Sequence, residues 1–302
     1  MKKLNCILFF FFALLLISCN ENVVSKKDDD IAKLSLLSTL NTDMGKIRPG
    51  DWLESHPEKG QSFEDYQKTK IIRPTPEKNK IYIQPIGNFS AAEYKIVELT
   101  SAYLQDFFGL KTVIMKGIHD SVVPAQSRRY DSSHEQLHAA YLLDSILYKN
   151  IAPDATVTIA LTNCDIYPQE SWNYVFGLAY PSKRISVSSM FRYIDEPLDS
   201  INYSPCLDKM IKTTAHEVAH MFSLKHCIHA NCVMNGSNGL HESLRRPNHV
   251  CSECTKKLYW NLDFNIEERN QKMLDFFMTQ KNNDEVKYYK KEKEIFLSAT
   301  QQ

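Results

Sequence analysis

The stretch "HEVAHMFSLKH", His216–His226, decides how the rest of this 302-residue sequence is interpreted. Histidines four residues apart on a helix lie on one face about one turn apart, so both rings can bind one zinc ion. A catalytic zinc needs three protein ligands and an open position, and His226 is a third histidine that reaches the metal if the helix ends and the chain turns. Glu217 follows the first histidine and can reach water at the metal. The segment therefore predicts a catalytic zinc site with the ligands His216, His220 and His226.

A second match to the same pattern, "HEQLH" at His134–His138, lacks this continuation. The following "AAYLLDSILYKN" offers no histidine or carboxylate in a ligand register, since Asp144 lies on a continuous helix with His138. Glu170 remains as a distant third ligand without supporting residues around it. We expect a helix over roughly residues 131–149, in which the motif lies at the surface. Its side chains are expected to face water: His134, Glu135, Gln136 and His138.

Strands and helices alternate around these motifs. "KIYIQPIG" (80–87) suits a buried strand, and "SAAE" from Ser90 is a capping box that opens a helix ending near Phe108 before Gly109. Further strands are predicted at residues 111–115, 155–161, 174–180 and 184–190. Ser204 and Pro205 suit the N-cap and first position of the zinc helix. This alternation predicts an α/β (α+β) domain, with a mixed twisted sheet over a central zinc-binding helix and with βαβ crossovers.

The N-terminus has the pattern of an export signal. Lys2 and Lys3 precede an apolar run, residues 4–17, that is too short for a spanning helix, and the run ends in "LISC" at Cys19. This is similar to a bacterial lipobox, in which Cys19 is lipidated; an ordinary cleaved signal peptide is the alternative. We expect a signal over residues 1–19, and a tether with an extended segment of little regular structure over 20–76. The catalytic domain then spans 77–264 and a helical extension spans 265–302. The signal and the lipobox place the protein in a bacterial cell envelope, periplasmic or on the outer surface, anchored to a membrane through lipid.

Four cysteines follow the zinc motif directly, in "HCIHANCVM" and then "VCSEC". The long pattern H-E-x-x-H-x-x-G-x-x-H, running into C-x4-C-x-M and a later C-x-x-C, resembles the archaemetzincins, a family of metzincin zinc peptidases. The segments "WNYVFGLAYPSKRISV" and "MNGSNGLHESLRRP" are similar to that family as well. The resemblance covers roughly residues 80–260, and "GDWLESHPEKGQSF" in the N-terminal segment extends it.

The resemblance implies roles for particular residues. His216, His220 and His226 are the catalytic zinc ligands, Glu217 is the general base, and Met234 forms a methionine turn beneath the metal. A second, structural zinc is implied at a closed four-thiolate site, which gives two zinc ions in all; its ligands are Cys227, Cys232, Cys251 and Cys254. One position departs from the pattern, because Ser223 stands where the family has glycine. A left-handed serine there costs about 1–2 kcal/mol.

The same four cysteines have an alternative in an oxidising compartment, where they form two disulfides. The C-x-x-C spacing makes a poor structural disulfide and favours zinc. Cys164 and Cys206 remain and are expected to be buried free thiols. His229, His241 and His249 lie near the zinc loops in sequence, but no ligand register includes them.

The sequence thus predicts a zinc metallopeptidase acting on a peptide or protein substrate, with aminopeptidase-like and internal cleavage both open. We expect "RISVSSM" (184–190) to be the edge strand that pairs with an extended substrate. Lys plus Arg equals Asp plus Glu at 36 each, and there is no basic stripe, so nucleic acid is not an expected partner; a monomer is expected. The rival hypothesis is a lipid-anchored, non-catalytic, zinc-binding module that captures peptides, which would follow if Ser223 distorts the site.

Overall fold

The computed structural model describes residues 26–131 and 133–299. The predicted signal and lipidation site, including Cys19, lie outside these residues. Within the described part of the chain, no helix is long and apolar enough to cross a membrane.

A five-stranded mixed sheet organises the domain. Its strands, in chain order, are β1 (Lys80–Ile86), β2 (Lys111–Ile114), β5 (Ala155–Thr162), β7 (Gly177–Tyr180) and β8 (Ile185–Ser189). The spatial order is β2-β1-β5-β8-β7, with all pairs parallel except the antiparallel β7–β8 pair. The predicted mixed sheet is confirmed, but the edge strand was predicted wrongly. β8 lies inside the sheet, because it pairs with β5 on one side and antiparallel with the preceding strand β7 on the other. β7 is therefore the edge strand.

Among the residues that the structure describes, five helices have eleven or more residues: α1 (Ala91–Phe108), α2 (Tyr203–Met221), α3 (Ser252–Leu262), α4 (Ile266–Gln280) and α5 (Asn283–Ala299). The capping box at Ser90 and the left-handed C-cap at Gly109 bound α1 as predicted. The zinc helix α2 begins at Tyr203, slightly before the predicted Ser204–Pro205 start, with Asn202 as its N-cap. In the C-terminal region the described residues form α4 and α5.

The sheet has an apolar layer on each face, because alternate strand residues point in opposite directions. Ile83 and Ile159 face α1 and α2 on one side, in a core that includes Phe222. Ala160 and Val187 face the helical segment after residue 138 on the other side. Helix α2 is therefore fixed on one face of the sheet, beside α1.

A second, three-stranded sheet contains the other histidine motif. It is formed by β3 (Arg128–Asp131), β4 (His134–His138) and β6 (Asp165–Tyr167), in the order β3-β4-β6. The prediction of a surface helix over "HEQLH" is therefore wrong. The motif is a β-strand, and helical structure begins only at Ala139.

The prediction that the side chains of β4 face water is also wrong. Gln136 is fully buried and donates to the carboxylate of Asp165 at 2.7 Å, and His134 contacts the same carboxylate at 2.8 Å. Glu135 forms an ion pair with Arg128. Pairing with β6, about thirty residues further along the chain, outweighs the local helical pattern.

The N-terminal segment has more regular structure than predicted. Residues 26–35 are helical and continue into a 3-10 helix, Leu36–Leu40, followed by short helices at Trp52–Ser55 and Phe63–Lys68. Between these elements the segment is extended, and it lies against the zinc-binding loop and α3. Its contacts with that loop position the site described next.

Candidate metal centre

Helix α2 presents His216 and His220 to one cleft. Its buried face, which includes Val218 and Met221, packs into the main core and fixes the direction of the opposite face. The helix ends at Met221, and the chain turns back so that His226 approaches the other two rings. One ligand atom from each of the three histidines lies within 4.8 Å of the others. The predicted ligand set is thus brought together.

The Nδ1 atom of each imidazole is held by an acceptor. His216 Nδ1 lies 2.8 Å from Val233 O, and His220 Nδ1 lies 2.7 Å from Leu224 O. Backbone carbonyl oxygens only accept, so both Nδ1 atoms carry the proton and both Nε2 atoms carry a lone pair. These two Nε2 atoms lie 3.0 Å apart. Two facing lone pairs repel each other unless a cation lies between them, so this donor set fits a bound zinc ion.

Burial makes the same histidines neutral. It lowers the pKa of His220 to about 4, with the nearby His226 ring acting in the same direction. It lowers the pKa of His216 well below the ordinary value as well, aided by the two neighbouring imidazoles. Neutral imidazole is the form that binds metal, so near neutral pH both groups are ready to bind.

Sequence reasoning missed Glu58, which holds the third histidine. His226 Nδ1 lies 2.7 Å from Glu58 Oε1, and the Trp52 indole N–H donates to the same oxygen at 2.7 Å. Burial raises the pKa of Glu58, but the hydrogen bonds from His226 and Trp52 outweigh it and lower the pKa on balance. A carboxylate on the outer nitrogen of a metal-binding histidine orients the ring and raises its basicity. The only sequence signal was its place within "GDWLESHPEKGQSF", 168 residues before His226.

Ser223 occupies the turn that frees the third ligand. Its φ of 71° is the left-handed conformation that glycine adopts without strain. The N-terminal segment stabilises this turn, since Ser223 Oγ accepts from the Ile72 N–H at 3.2 Å and Ser223 O accepts from the Gln61 amide at 3.3 Å. The serine therefore keeps the backbone that the pattern requires, and His226 still reaches the cleft.

Glu217 lies beside the ligands and beneath the edge strand β7. It is 9% exposed, and its burial raises its pKa to about 8. A Cβ atom at Gly177 would lie 2.6 Å from Glu217 Oε1, so the absence of a side chain at Gly177 is what lets the strand approach. The carboxylate is thereby placed between the histidines and the strand edge.

A cleft of about 470 Å³ contains these groups. One wall is β7 with the preceding loop, and the floor is the histidine face of α2. Trp52 and Asn238 extend the wall beyond the metal centre. The cleft is lined in addition by Lys212 and Arg246, which the sequence analysis did not select.

The four cysteines form a second, closed cluster. One sulfur atom from each of Cys227, Cys232, Cys251 and Cys254 lies within 4.8 Å of the others, all four residues are buried, and all four are free thiols. Backbone N–H groups point at the sulfurs: His229 N lies 3.4 Å from Cys227 Sγ, and Cys251 N lies 3.3 Å from Cys232 Sγ. Hydrogen bonds from the neighbouring thiols lower the pKa of Cys227. Four convergent, buried sulfurs, two of which accept backbone N–H groups, fit a tetrahedral zinc site.

A turn around Met234 connects the two clusters. Val233 O holds His216, and the Met234 backbone N–H lies 3.4 Å from Cys232 Sγ. Met234 is fully buried and its carbonyl accepts from the Cys227 N–H at 2.8 Å. The cysteine cluster therefore fixes the backbone that orients a histidine of the other site.

The remaining candidates do not join a metal site. Within the described ranges, the groups of three or more ligand side chains that can hold a metal are the three histidines and the four cysteines, and neither includes His134, His138 or Glu170. His249 pairs with Glu285 at 2.9 Å and stacks on a tyrosine ring. Cys206 is buried as predicted, whereas Cys164 is only partly buried.

This chain is similar to known proteins in sequence and in structure. The Peptidase family M54 profile matches residues 121–259. Archaemetzincin-2 from Rattus norvegicus is 34% identical over 251 residues, covering 72% of this chain and 70% of the relative, and Archaemetzincin-2 from Homo sapiens is 33% identical over 258 residues, covering 73% and 70%. The crystal structure of archaemetzincin from Methanopyrus kandleri is 26% identical, with a TM-score of 0.51 over 63% of this chain and 98% of that one.

Proposed function

The chain belongs to the archaemetzincin family, peptidase family M54, and is a zinc metallopeptidase; on that premise we propose that Glu217 is its general base and that His216, His220 and His226 are its catalytic zinc ligands. The observation that carries this proposal is the convergence of three histidine side chains beside a buried carboxylate in one cleft. Each ring is also held at its Nδ1 atom, so the orientation is fixed before a metal binds.

When bound by His216, His220 and His226, a zinc ion would supply Lewis-acid chemistry, which polarises a peptide carbonyl and acidifies water. Glu217 accepts the proton of the attacking water and delivers it to the leaving amine. Burial supports this role, because it raises the pKa of Glu217 to about 8, close to neutral pH, where a group can both accept and donate a proton. Glu58 keeps the His226 ring in the binding orientation.

The edge strand β7 supports binding of an extended substrate. Its inner edge pairs with β8, and its residues Gly177, Leu178 and Ala179 line the cleft above Glu217. A peptide that adds to an exposed sheet edge gains main-chain hydrogen bonds whatever its sequence. Substrate pairing is therefore proposed at β7, in place of the strand "RISVSSM" that the sequence suggested.

The binding-module hypothesis has lost its main support. It depended on Ser223 distorting the third-ligand loop, and Ser223 instead adopts the left-handed turn with two stabilising hydrogen bonds. A module that only captured peptides would have no use for a buried carboxylate beside the ligands.

Glu217→Ala tests the proposal. We expect both zinc ions to be retained and hydrolysis of a peptide mixture to fall by about 10²–10⁴-fold, the range for loss of a general base. The measurement combines zinc content by elemental mass spectrometry with mass-spectrometric detection of cleaved peptides.

The chain contains a matched control in Glu135→Ala, the corresponding position of the other H-E-x-x-H segment. This variant removes an ion pair with Arg128 and should keep full activity. Undiminished hydrolysis by Glu217→Ala would overturn the assignment of Glu217.

A further inference from the structure

Two buried cations lie in the cleft beside the candidate metal centre. Lys212 precedes His216 by four residues on α2, so it lies about one helical turn from that ligand on the same side of the helix. Arg246 follows the short helix Leu240–Ser243. Both line the cleft, yet Lys212 is only 6% exposed and Arg246 only 8%. Lysine and arginine are rarely buried to this degree unless they are paired.

The partners of these cations leave donors unused. Lys212 Nζ reaches Ser243 O at 3.5 Å and Asp208 Oδ2 at 4.0 Å, both at the outer limit of a polar contact. Arg246 donates from one terminal nitrogen to Glu242 Oε1 at 3.2 Å, while its buried Nε has no hydrogen-bond partner. A buried donor without a close acceptor is costly, and the long contacts of Lys212 Nζ leave this cleft-lining cation able to take an added acceptor.

The neighbouring carboxylates are occupied with other groups. Glu242 Oε2 accepts from the backbone N–H groups of Trp52 and Asn238 at 2.9 and 2.8 Å. Asp208 Oδ1 accepts from the amides of Asn248 and Asn282. These two anions are shared between the surrounding loops and the two cations, and Lys212 Nζ reaches its acceptors at 3.5 and 4.0 Å. An added anionic oxygen would give Lys212 a closer partner.

We propose that Lys212 and Arg246 form a subsite that binds a carboxylate of the peptide substrate. The subsite rests on the proposed peptidase function and sets its specificity. Lys212 lies about one helical turn, roughly 6 Å, from the zinc ligand His216, and an extended peptide advances about 3.4 Å per residue. The bound carboxylate therefore belongs to a residue within about two positions of the cleaved bond. It is an Asp or Glu side chain or the terminal carboxylate of a short peptide.

The first experiment uses the purified full chain with matched peptides that differ in one group. One pair carries Glu or Gln near the cleaved bond, and a second pair carries a free or an amidated C-terminus. We expect kcat/KM to be at least about tenfold higher for the carboxylate member of one pair, the size of one charge-assisted hydrogen bond. A preference confined to the first pair assigns the side chain, and one confined to the second assigns the terminus. Equal rates in both pairs would overturn the proposal.

Lys212→Met then tests the residue, because methionine keeps most of the length of the side chain and removes its charge. We expect the ratio of the two kcat/KM values within the selective pair to fall by about tenfold. Lys209→Met is the control, since Lys209 lies on the same helix beside the Tyr193 ring and not among the cleft-lining residues. It should leave the ratio unchanged. An unchanged ratio in Lys212→Met would contradict the assignment.

A binding measurement separates failure of this proposal from failure of the proposed function. Trp52 and Trp172 line the cleft, so peptide binding to the Glu217→Ala variant can be followed by tryptophan fluorescence without hydrolysis. Tighter binding of the carboxylate peptide supports the subsite even if the chain proves inactive. Equal binding of both members of each pair counts against the subsite even if hydrolysis is confirmed.

Discussion

The two segments "HEVAH" and "HEQLH" share a pattern of three fixed residues and form different structures. In α2, His216 and His220 lie one turn apart and their Nε2 atoms are 3.0 Å from each other. In β4, four residues of strand separate His134 and His138 by about 13 Å, too far to share one metal ion. The motif therefore specifies chemistry only where the chain around it forms a helix.

The surroundings of each motif explain which structure forms. Beside β4, the buried carboxylate of Asp165 accepts from Gln136 and is paired with Arg192 at 2.7 Å. The histidine His134 becomes a third partner of this carboxylate. Beside α2, the chain supplies Glu58 and the cysteine cluster, which position a third ligand. In one region the histidine completes a structural network, and in the other it is directed at an open cleft.

The largest effect should come from the cysteine cluster, which supports one motif and not the other. Cys251→Ser removes a ligand of a closed site whose turn holds His216 through Val233. We expect loss of both zinc ions and a fall of several kcal/mol in unfolding free energy, since a structural zinc contributes folding energy directly. Zinc analysis and chemical denaturation measure both. The partly buried Cys164, changed to Ser, is the control, and two retained zinc ions in Cys251→Ser would refute the coupling.

The next effect concerns the region of β4. Asp165→Asn removes the charge that pairs with Arg192 and leaves the cation without its buried partner. We expect a loss of about 3 kcal/mol in unfolding free energy with zinc content unchanged. Thermal unfolding with zinc analysis checks both parts. A loss of zinc in this variant would show that the "HEQLH" region supports a metal site.

A smaller effect is expected at Glu58. This carboxylate holds a candidate metal-binding histidine, whereas Asp165 beside β4 contacts a histidine that joins no metal site. Glu58→Gln weakens the hold on the His226 Nδ1 proton, so zinc affinity or activity should fall about 10–100-fold. Zinc titration against a chelator measures the affinity. Glu54→Gln, an exposed position in the same segment, should change neither. Equal zinc affinity and activity in both variants would show that Glu58 does not support the His226 ligand.

The smallest effect is expected at Ser223. Ser223→Gly relieves left-handed strain of about 1–2 kcal/mol and loses the hydrogen bond from Ile72, which is worth about 1 kcal/mol. The net change in unfolding free energy should therefore stay within about 1 kcal/mol, as measured by urea denaturation. Ser223→Val should destabilise clearly, because a β-branched residue tolerates positive φ poorly. A stable valine variant would show that the turn does not need this conformation.

Local sequence signals predicted a large part of this structure. The capping box at Ser90, the left-handed Gly109 and the polar–apolar alternation of α4 and α5 are decided by neighbouring residues, and each appears as expected. The convergence of three histidine side chains was also predictable, since His216 and His220 lie on one helix and His226 follows after a turn of the chain.

Non-local pairing explains what the sequence did not reveal. The strand conformation of "HEQLH" depends on β6, and the edge position of β7 depends on which strands assemble beside β8. Glu58 reaches His226 across 168 residues. No periodicity or spacing in a single sequence encodes these contacts, whose free energy comes from residues far apart in the chain.

Counting zinc in paired histidine variants tests the central claim most directly. His220→Ala and His138→Ala make the same change in the same five-residue pattern. We predict two zinc ions per chain in the unmodified protein, one in His220→Ala and two in His138→Ala, measured by elemental mass spectrometry on folded samples. Loss of one zinc ion in His138→Ala, or retention of both in His220→Ala, would contradict the account.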